Sequence, residues 1–430
     1  MALIELVGEL DATFAWDGER LCNARNFAPG ATAPLRLRGA AAAVELASPE
    51  SCRIVRDLLG INKLFWTPTD AGAALGARPK RLVDAGYAFE AIRAIPRGSV
   101  IDFEHGQEPH VRGIDPLAEG ERPKAELAVE IRSLLERYLA ALVKGHPDAR
   151  FFVCLSGGLD SSGIAALARE RVPGLVAVSF DLERTHGESE DRRVARRLAR
   201  DLDVPLMCVD SSQSSLLEKL DVVLEEGIDW RDFNVHAGLV NAALAEAVAA
   251  TDSHDTQKIV LTGDLANEFL ADYADERYGG ATYYELPRLQ GADLRAALVR
   301  GLDTSNREVG VFGAWGVDVV QPYAVAVDLY LFLPVTLLES PRAKQDLGRA
   351  VYGDLLPEYV YARPKVRAQV GSAAGDGGVL GLCIDQGVDA GFLRDRFAHL
   401  HGVRVEHLNR FVRGGTYRSG IPTLPNIALR

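Results

Sequence analysis

The spacing of apolar positions changes near residue 124. Before it, short alternating runs are broken by turn residues: ALIELVGEL (2–10), TFAWDGERL (13–21), LRLRG (35–39) and AAAVELA (41–47). Period-two alternation predicts strands, and the Asp-Gly pair in WDGE predicts a hairpin between two of them. One helix is expected near 48–60. After it, KAELAVEIRSLLERYLAALVKG (124–145) places apolar residues at helical spacing. Strand-like runs then alternate with helical ones: 151–155, LVAVSFD (175–181), DRRVARRLARDL (191–202), PLMCVD (205–210) and KIVLTGD (258–264). That order predicts an α/β fold with a doubly wound parallel sheet. The remainder, about 285–400, reads as mostly helical. The polar stretch 104–123 is the expected boundary, giving a β-rich domain over 1–115 and an α/β domain over 120–430.

Composition narrows the function. At 430 residues the chain exceeds one typical core. Its net charge of −12 and lack of a long basic run argue against nucleic acid or anionic membrane as partner. Five scattered cysteines with no CxxC pair argue against a disulfide framework or zinc cluster. No apolar run approaches a membrane span, and MALIELVGELDATF lacks a signal-peptide layout, so a cytoplasmic protein is expected.

The chemistry concentrates in FFVCLSGGLDSSGIAALARE (151–170), a strand, a small-residue loop and a helix start. Ser156, Gly157, Gly158, Leu159, Asp160, Ser161 and Ser162 follow the first strand, where parallel sheets bind ligands. The glycines let backbone N–H groups converge on an anion, and the helix adds its positive end. Asp160 beside phosphate oxygens makes sense as a Mg²⁺ ligand bridging to them. The GxxxxGK[ST] lysine is absent, so this is not that loop.

SGGLDSS resembles the pyrophosphatase loop of ATP-pyrophosphatase enzymes. TGDLANEF (262–269), GVDVVQPY (316–323) and DLLPEYVYARPKVRAQVGS (354–372) make the resemblance specific: the chain is similar to the asparagine synthetase and β-lactam synthetase family over about 125–400. This implies ATP and Mg²⁺ as cofactors, with formation of an acyl-adenylate from a small carboxylate and then of an amide or lactam by attack of an amine. Lys365 matches the family's lysine near the adenylate and Lys344 a second one. Asp264 stands where the family has a glutamate or a catalytic tyrosine, and Glu308 near the glutamate that orients that tyrosine. Asn267 replaces the second magnesium aspartate, with Asp264 or Glu268 positioned to compensate. Val178, Ser179 and Phe180 are expected to read adenine and ribose through backbone groups, with Gly263 nearby.

The N-terminal region then resembles a shortened glutaminase domain of the N-terminal-nucleophile type. Position 2 is Ala and Cys22 lies inside the chain, so loss of glutaminase activity is expected. His186, Glu188, Ser189, Glu190 and Asp191 read as a helix cap and charged first turn. DWRDFNVH (229–236) suggests substrate recognition, with His236 as a base near neutral pH. Three readings stay open: amide formation with a substrate amine, asparagine-synthetase-like amidation with free ammonia, and a non-catalytic scaffold. A homodimer is compatible with all of them.

Overall fold

The computed structural model describes residues 4–22, 38–48, 51–70, 72–104, 110–113, 120–183, 187–251, 256–303, 305–373, 377–408, 412–413 and 421–422. Five strands build its centre: β1 (Arg150–Cys154), β2 (Val176–Leu182), β3 (Leu206–Ser211), β4 (Lys258–Leu261) and β5 (Asp318–Val320). They pair in the order β3-β2-β1-β4-β5, all parallel. β1, β2 and β4 are runs of Val, Phe, Ile and Leu because the sheet is covered on both faces.

Alternation sorts the strand side chains. Phe151, Val153, Ile259 and Leu261 enter one core with helices α1 (Lys124–Gly145) and α2 (Leu159–Arg169). Phe152, Val178 and Val260 enter the other, against a later helix, Asp232–Ala249. α1 buries Leu127, Ile131, Leu135, Tyr138, Leu139 and Leu142, the stripe its spacing predicts. Truncating one of these leucines to Ala costs about 2–5 kcal/mol.

The described residues up to Gly113 form two stacked four-stranded sheets, the last strand being His110–Gly113. Ile4, Ala73 and Leu75 of one face Ala42, Cys52, Ile54 and Ile101 of the other across a shared core. The WDGE hairpin forms: Ala15–Trp16 pairs with Leu21–Cys22, and Asp17 accepts from the N–H groups of Glu19 and Arg20. The helix expected near 48–60 does not. Ser51–Arg56 is a strand between Ala42–Ser48 and Ser99–Glu104, because Cys52 and Ile54 alternate into the core. A short helix, Pro79–Asp84, stands outside the expected pattern. Among the described residues no helix is long and apolar enough to cross a membrane. Ala2 and His186 lie outside the described residues.

The two regions meet along several elements, with Arg38 on Asp328, Arg78 on Glu226 and Tyr138 on Phe14 O, and again at the loop before Glu308. Lys63 donates to Leu302 O at 2.8 Å, Arg56 pairs with Asp303 at 2.6 Å, and Arg97 donates to Val299 O at 3.1 Å. Five residues beyond Asp303 the chain reaches Glu308.

Candidate active site

An open cleft of about 1390 Å³, counted out to its mouth, lies at the carboxyl ends of β1, β2 and β4. Close backbone approach sets its floor. A Cβ on Gly157, where φ is +73°, would lie 2.6 Å from Val194 Cγ1. A Cβ on Gly263 would lie 2.5 Å from Ser161 N, so the turn after β4 presses against the loop after β1. Gly163 faces the Tyr352 ring, where a Cβ would stand 2.3 Å from it. That contact seats α2 against the helix Ala343–Tyr352 and brings Lys344 beside Asp160.

No side chain caps the start of α2. The loop hydroxyls instead fold it on itself: Ser156 Oγ and Ser161 Oγ are 3.1 Å apart, and Ser161 Oγ donates to Gly158 O at 3.1 Å. Ser156, Gly158, Leu159, Asp160 and Ser161 line the cleft with Val178, Ser179, Phe180 and Gly263. Gly157 and Ser162 do not line it. Gly157 turns under Val194, and Ser162 is fully buried with its hydroxyl unpartnered.

Two lysines and three oxygen-bearing side chains meet on the floor. Lys344 Nζ donates to Asp160 and to Asn267 Oδ1 at 2.7 Å, and reaches Asp272 at 3.2 Å. Lys365 Nζ donates to the same Asn267 oxygen at 2.7 Å and to Asp272, and lies 4.4 Å from the Tyr273 ring centre. Burial pushes Asp160 up, against the pull of Lys344. Burial works to lower Lys344, yet Asp160 and Asp272 hold it above its ordinary value. Burial, with Lys344 as neighbour, takes Lys365 down to about 7. Asp160, Asn267 and Asp272 thus offer hard oxygen donors that already converge on a cation, the ammonium of Lys344. That donor set suits Mg²⁺, which takes one or two carboxylates plus substrate phosphates. Among the described residues no cluster of three or more His, Cys, Asp or Glu side chains could hold a metal by itself. Glu268 is not with them: it accepts from Tyr273 Oη at 2.6 Å and faces Arg307 at 3.9 Å.

A second cluster sits deeper. Arg307 pairs with Glu308, donates to Asn234 Oδ1 at 2.8 Å and stacks 4.8 Å from the Phe233 ring centre. Burial first, and Glu308 second, push Asp264 up to about 7.

Sequence reasoning missed Asp272, Arg307 and Arg363. Arg363, two residues before Lys365, donates to Ser156 O at 3.1 Å and pairs with Asp191. Ser189 caps its helix as expected, accepting from Arg192 N at 3.1 Å, but Asp191 is buried under Arg363, where desolvation raises it to about 6. His236 is fully buried on Tyr284 Oη at 2.7 Å, and burial drops it to about 3. It stays neutral at working pH and is no base for this cleft.

Residues 130–308 match the asparagine synthase family. The carboxyethyl-arginine β-lactam synthase of Streptomyces clavuligerus is 25% identical over 288 residues, covering 65% of this chain and 52% of that protein. The match thus spans about half of that relative's length. Among solved structures, an NMN synthetase from Francisella tularensis is 15% identical with a TM-score of 0.31, over 66% of this chain and 94% of that one. A glutamine-dependent NAD⁺ synthetase from Acinetobacter baumannii, in complex with ADP, is 18% identical with a TM-score of 0.26, over 41% of this chain and 32% of that one. At those scores neither likeness extends to a site.

Proposed function

The chain belongs to the asparagine synthase and β-lactam synthetase family, and from that premise we propose that it is an AMP-forming amide synthetase. The observation that carries this reading is the convergence of Asp160, Asn267, Asp272, Lys344 and Lys365 beside an uncapped helix start at the sheet's carboxyl edge. A carboxylate is a poor electrophile, so ATP must activate it. The substrate carboxylate oxygen attacks the α-phosphorus, the bond from that phosphorus to the β-phosphate bridge breaks, and pyrophosphate leaves. An amine nitrogen then attacks the carbonyl carbon, its proton passes to a base, and the C–O bond to AMP breaks.

Each group has work in that sequence. Loop N–H groups and the start of α2 hold phosphate oxygens. Leu155 N–H takes Val178 O at 2.8 Å, so by ladder alternation Phe180 turns its backbone groups to the same edge, past the end of β1, where adenine can be read. Asp160, Asn267 and Asp272 would hold Mg²⁺, which supplies charge neutralisation on the phosphates. Lys344 holds the departing pyrophosphate, and Lys365 stabilises charge on the α-phosphate and the tetrahedral carbon. Asp264, whose ionisation falls near neutral pH, takes the amine proton, with Glu308 and Arg307 fixing its field.

In this reading the two-sheet region is a degenerate glutaminase-type domain, and the enzyme works in the cytoplasm within bacterial specialised metabolism. ATP–pyrophosphate exchange across a panel of carboxylic acids tests it. Exchange with at least one acid, abolished by Asp160→Asn, is expected. No exchange with any acid would favour the scaffold reading.

A further inference from the structure

Behind the Asp264–Glu308 junction lies a second cavity of about 550 Å³, counted to its mouth. It shares Phe233, Asp264, Arg307 and Glu308 with the large cleft, so the two spaces meet at the proposed base. The N-terminal region closes one side through Ile61 and Lys63.

Its walls have hydrogen-bonding capacity that the described protein leaves unused. Asn306 is 2% exposed, yet neither atom of its carboxamide has a partner. Gln321 is 7% exposed with Oε1 unpartnered, and Ser305 Oγ is likewise unpartnered. Leaving such a group unmet costs about 1–3 kcal/mol, so a cluster of them implies an occupant. Charge says which kind. Three cations line the space: Arg231 is bound to Asp229 at 2.5 Å, and Lys63 spends its ammonium on the carbonyls of Gly60, Ile61 and Leu302. Arg307 stands against the carboxylates of Asp264, Glu268 and Glu308, and the carbonyls leave the charge of Lys63 in place. With Asp229 behind Arg231, four carboxylates meet three cations, and the unmet side-chain atoms are mainly acceptors, set among Leu265, Leu298 and Leu302.

We propose that this chamber is the subsite for the attacking amine, a compact aliphatic primary amine carrying a second hydrogen-bonding group. The nitrogen lies against Asp264 and Glu308, and the second polar group takes up Asn306, Gln321 and Ser305. The amine is therefore bound apart from the activated carboxylate, and the amide forms between two molecules. This rests on the synthetase reading, which leaves open whether the amine belongs to the same molecule as the acid.

Binding of ethanolamine and of glycinamide to the full chain, followed by saturation-transfer NMR, tests it. Each should bind at least ~5-fold more tightly than its uncharged counterpart, ethylene glycol or propionamide, and more tightly than ammonium ion. Gln321→Met should weaken both amines at least ~5-fold while leaving affinity for a non-hydrolysable ATP analogue unchanged. Asn306→Leu should do the same, and Gln321→Met keeps the test decisive if that variant does not fold. Amines that bind no better than the uncharged probes, or equally well in Gln321→Met, would show a water-filled space and overturn the proposal. ATP–pyrophosphate exchange in the same preparation separates the two ideas. Exchange without amine binding sinks the chamber alone, whereas amine binding without exchange sinks adenylation alone.

Discussion

The floor of the cleft and its inner end use opposite electrostatics a few residues apart. On the floor, Lys344 and Lys365 lie among Asp160, Asn267 and Asp272, and the lysines hold Asp272 below its ordinary value although burial works the other way. At the inner end, Asp264, Glu268 and Glu308 surround Arg307, and burial with Glu308 lifts Asp264 to about 7. A polyphosphate needs the first environment and an amine that must shed a proton needs the second. Placing them on one β4 turn, at Asn267 and Asp264, lets one short segment serve both half-reactions.

The comparison can be broken at the floor first. Asp160→Asn should cut adenylation by roughly 10³-fold with the fold intact, read as pyrophosphate release alongside circular dichroism. Near-normal turnover would remove Asp160 from the phosphate site. Lys365→Met should lower kcat by roughly 10²–10³-fold with far smaller changes in KM, because its interaction strengthens in the transition state. Lys365→Arg should restore only part of that loss, since a planar guanidinium does not replace a compact ammonium.

The inner end is tested by pH. Asp264 must be ionised to accept a proton, so activity should fall as pH drops through about 7, and Asp264→Asn should abolish that limb with a roughly 10²-fold loss of kcat. Stability should move the other way. The folded state binds this proton more tightly than the unfolded chain, so the carboxylate costs stability progressively as pH rises from about 4 towards about 7. Asp264→Asn should therefore melt higher than the parent at pH 8, by roughly 2 °C, with the gain fading towards pH 4. A lower melting temperature at pH 8 would mean that Asp264 is paired, not strained.

The smallest effect is expected at His236. Because it is buried and neutral, His236→Gln should leave the pH–rate profile unmoved even if it lowers the melting temperature. A shifted profile would bring the histidine back into the chemistry.

What was legible in the sequence follows the same division. SGGLDSS was legible because a strand, a small-residue turn and a helix start follow one another in consecutive residues, although Val194, Gly263, Lys344 and Arg363 pack on it from elsewhere. Four of the five parallel strands were legible for a related reason, since burial on both faces writes strands such as β1, β2 and β4 as apolar runs, whereas β5 (Asp318–Val320) lies in the stretch expected to be mostly helical. Ser51–Arg56 was misread as helical because its charged residues hide the alternation of Cys52 and Ile54 into the core. Asp272 and Arg307 carry no motif, and Arg363, though inside the DLLPEYVYARPKVRAQVGS run, shares with them a place set by contacts from distant segments. His236 shows the converse, a residue whose type suggested a base and whose full burial lowers the proton affinity on which that role depends.

The central claim, that the carboxylate is activated by adenylation, is tested most directly by isotope transfer. An acid that supports exchange, labelled with ¹⁸O in its carboxylate, is turned over once with ATP and an amine, and the products are read by ³¹P NMR. One ¹⁸O in AMP, with unlabelled pyrophosphate and no ADP, is the predicted result. Label in inorganic phosphate together with ADP would mean an acyl-phosphate route and would contradict the account.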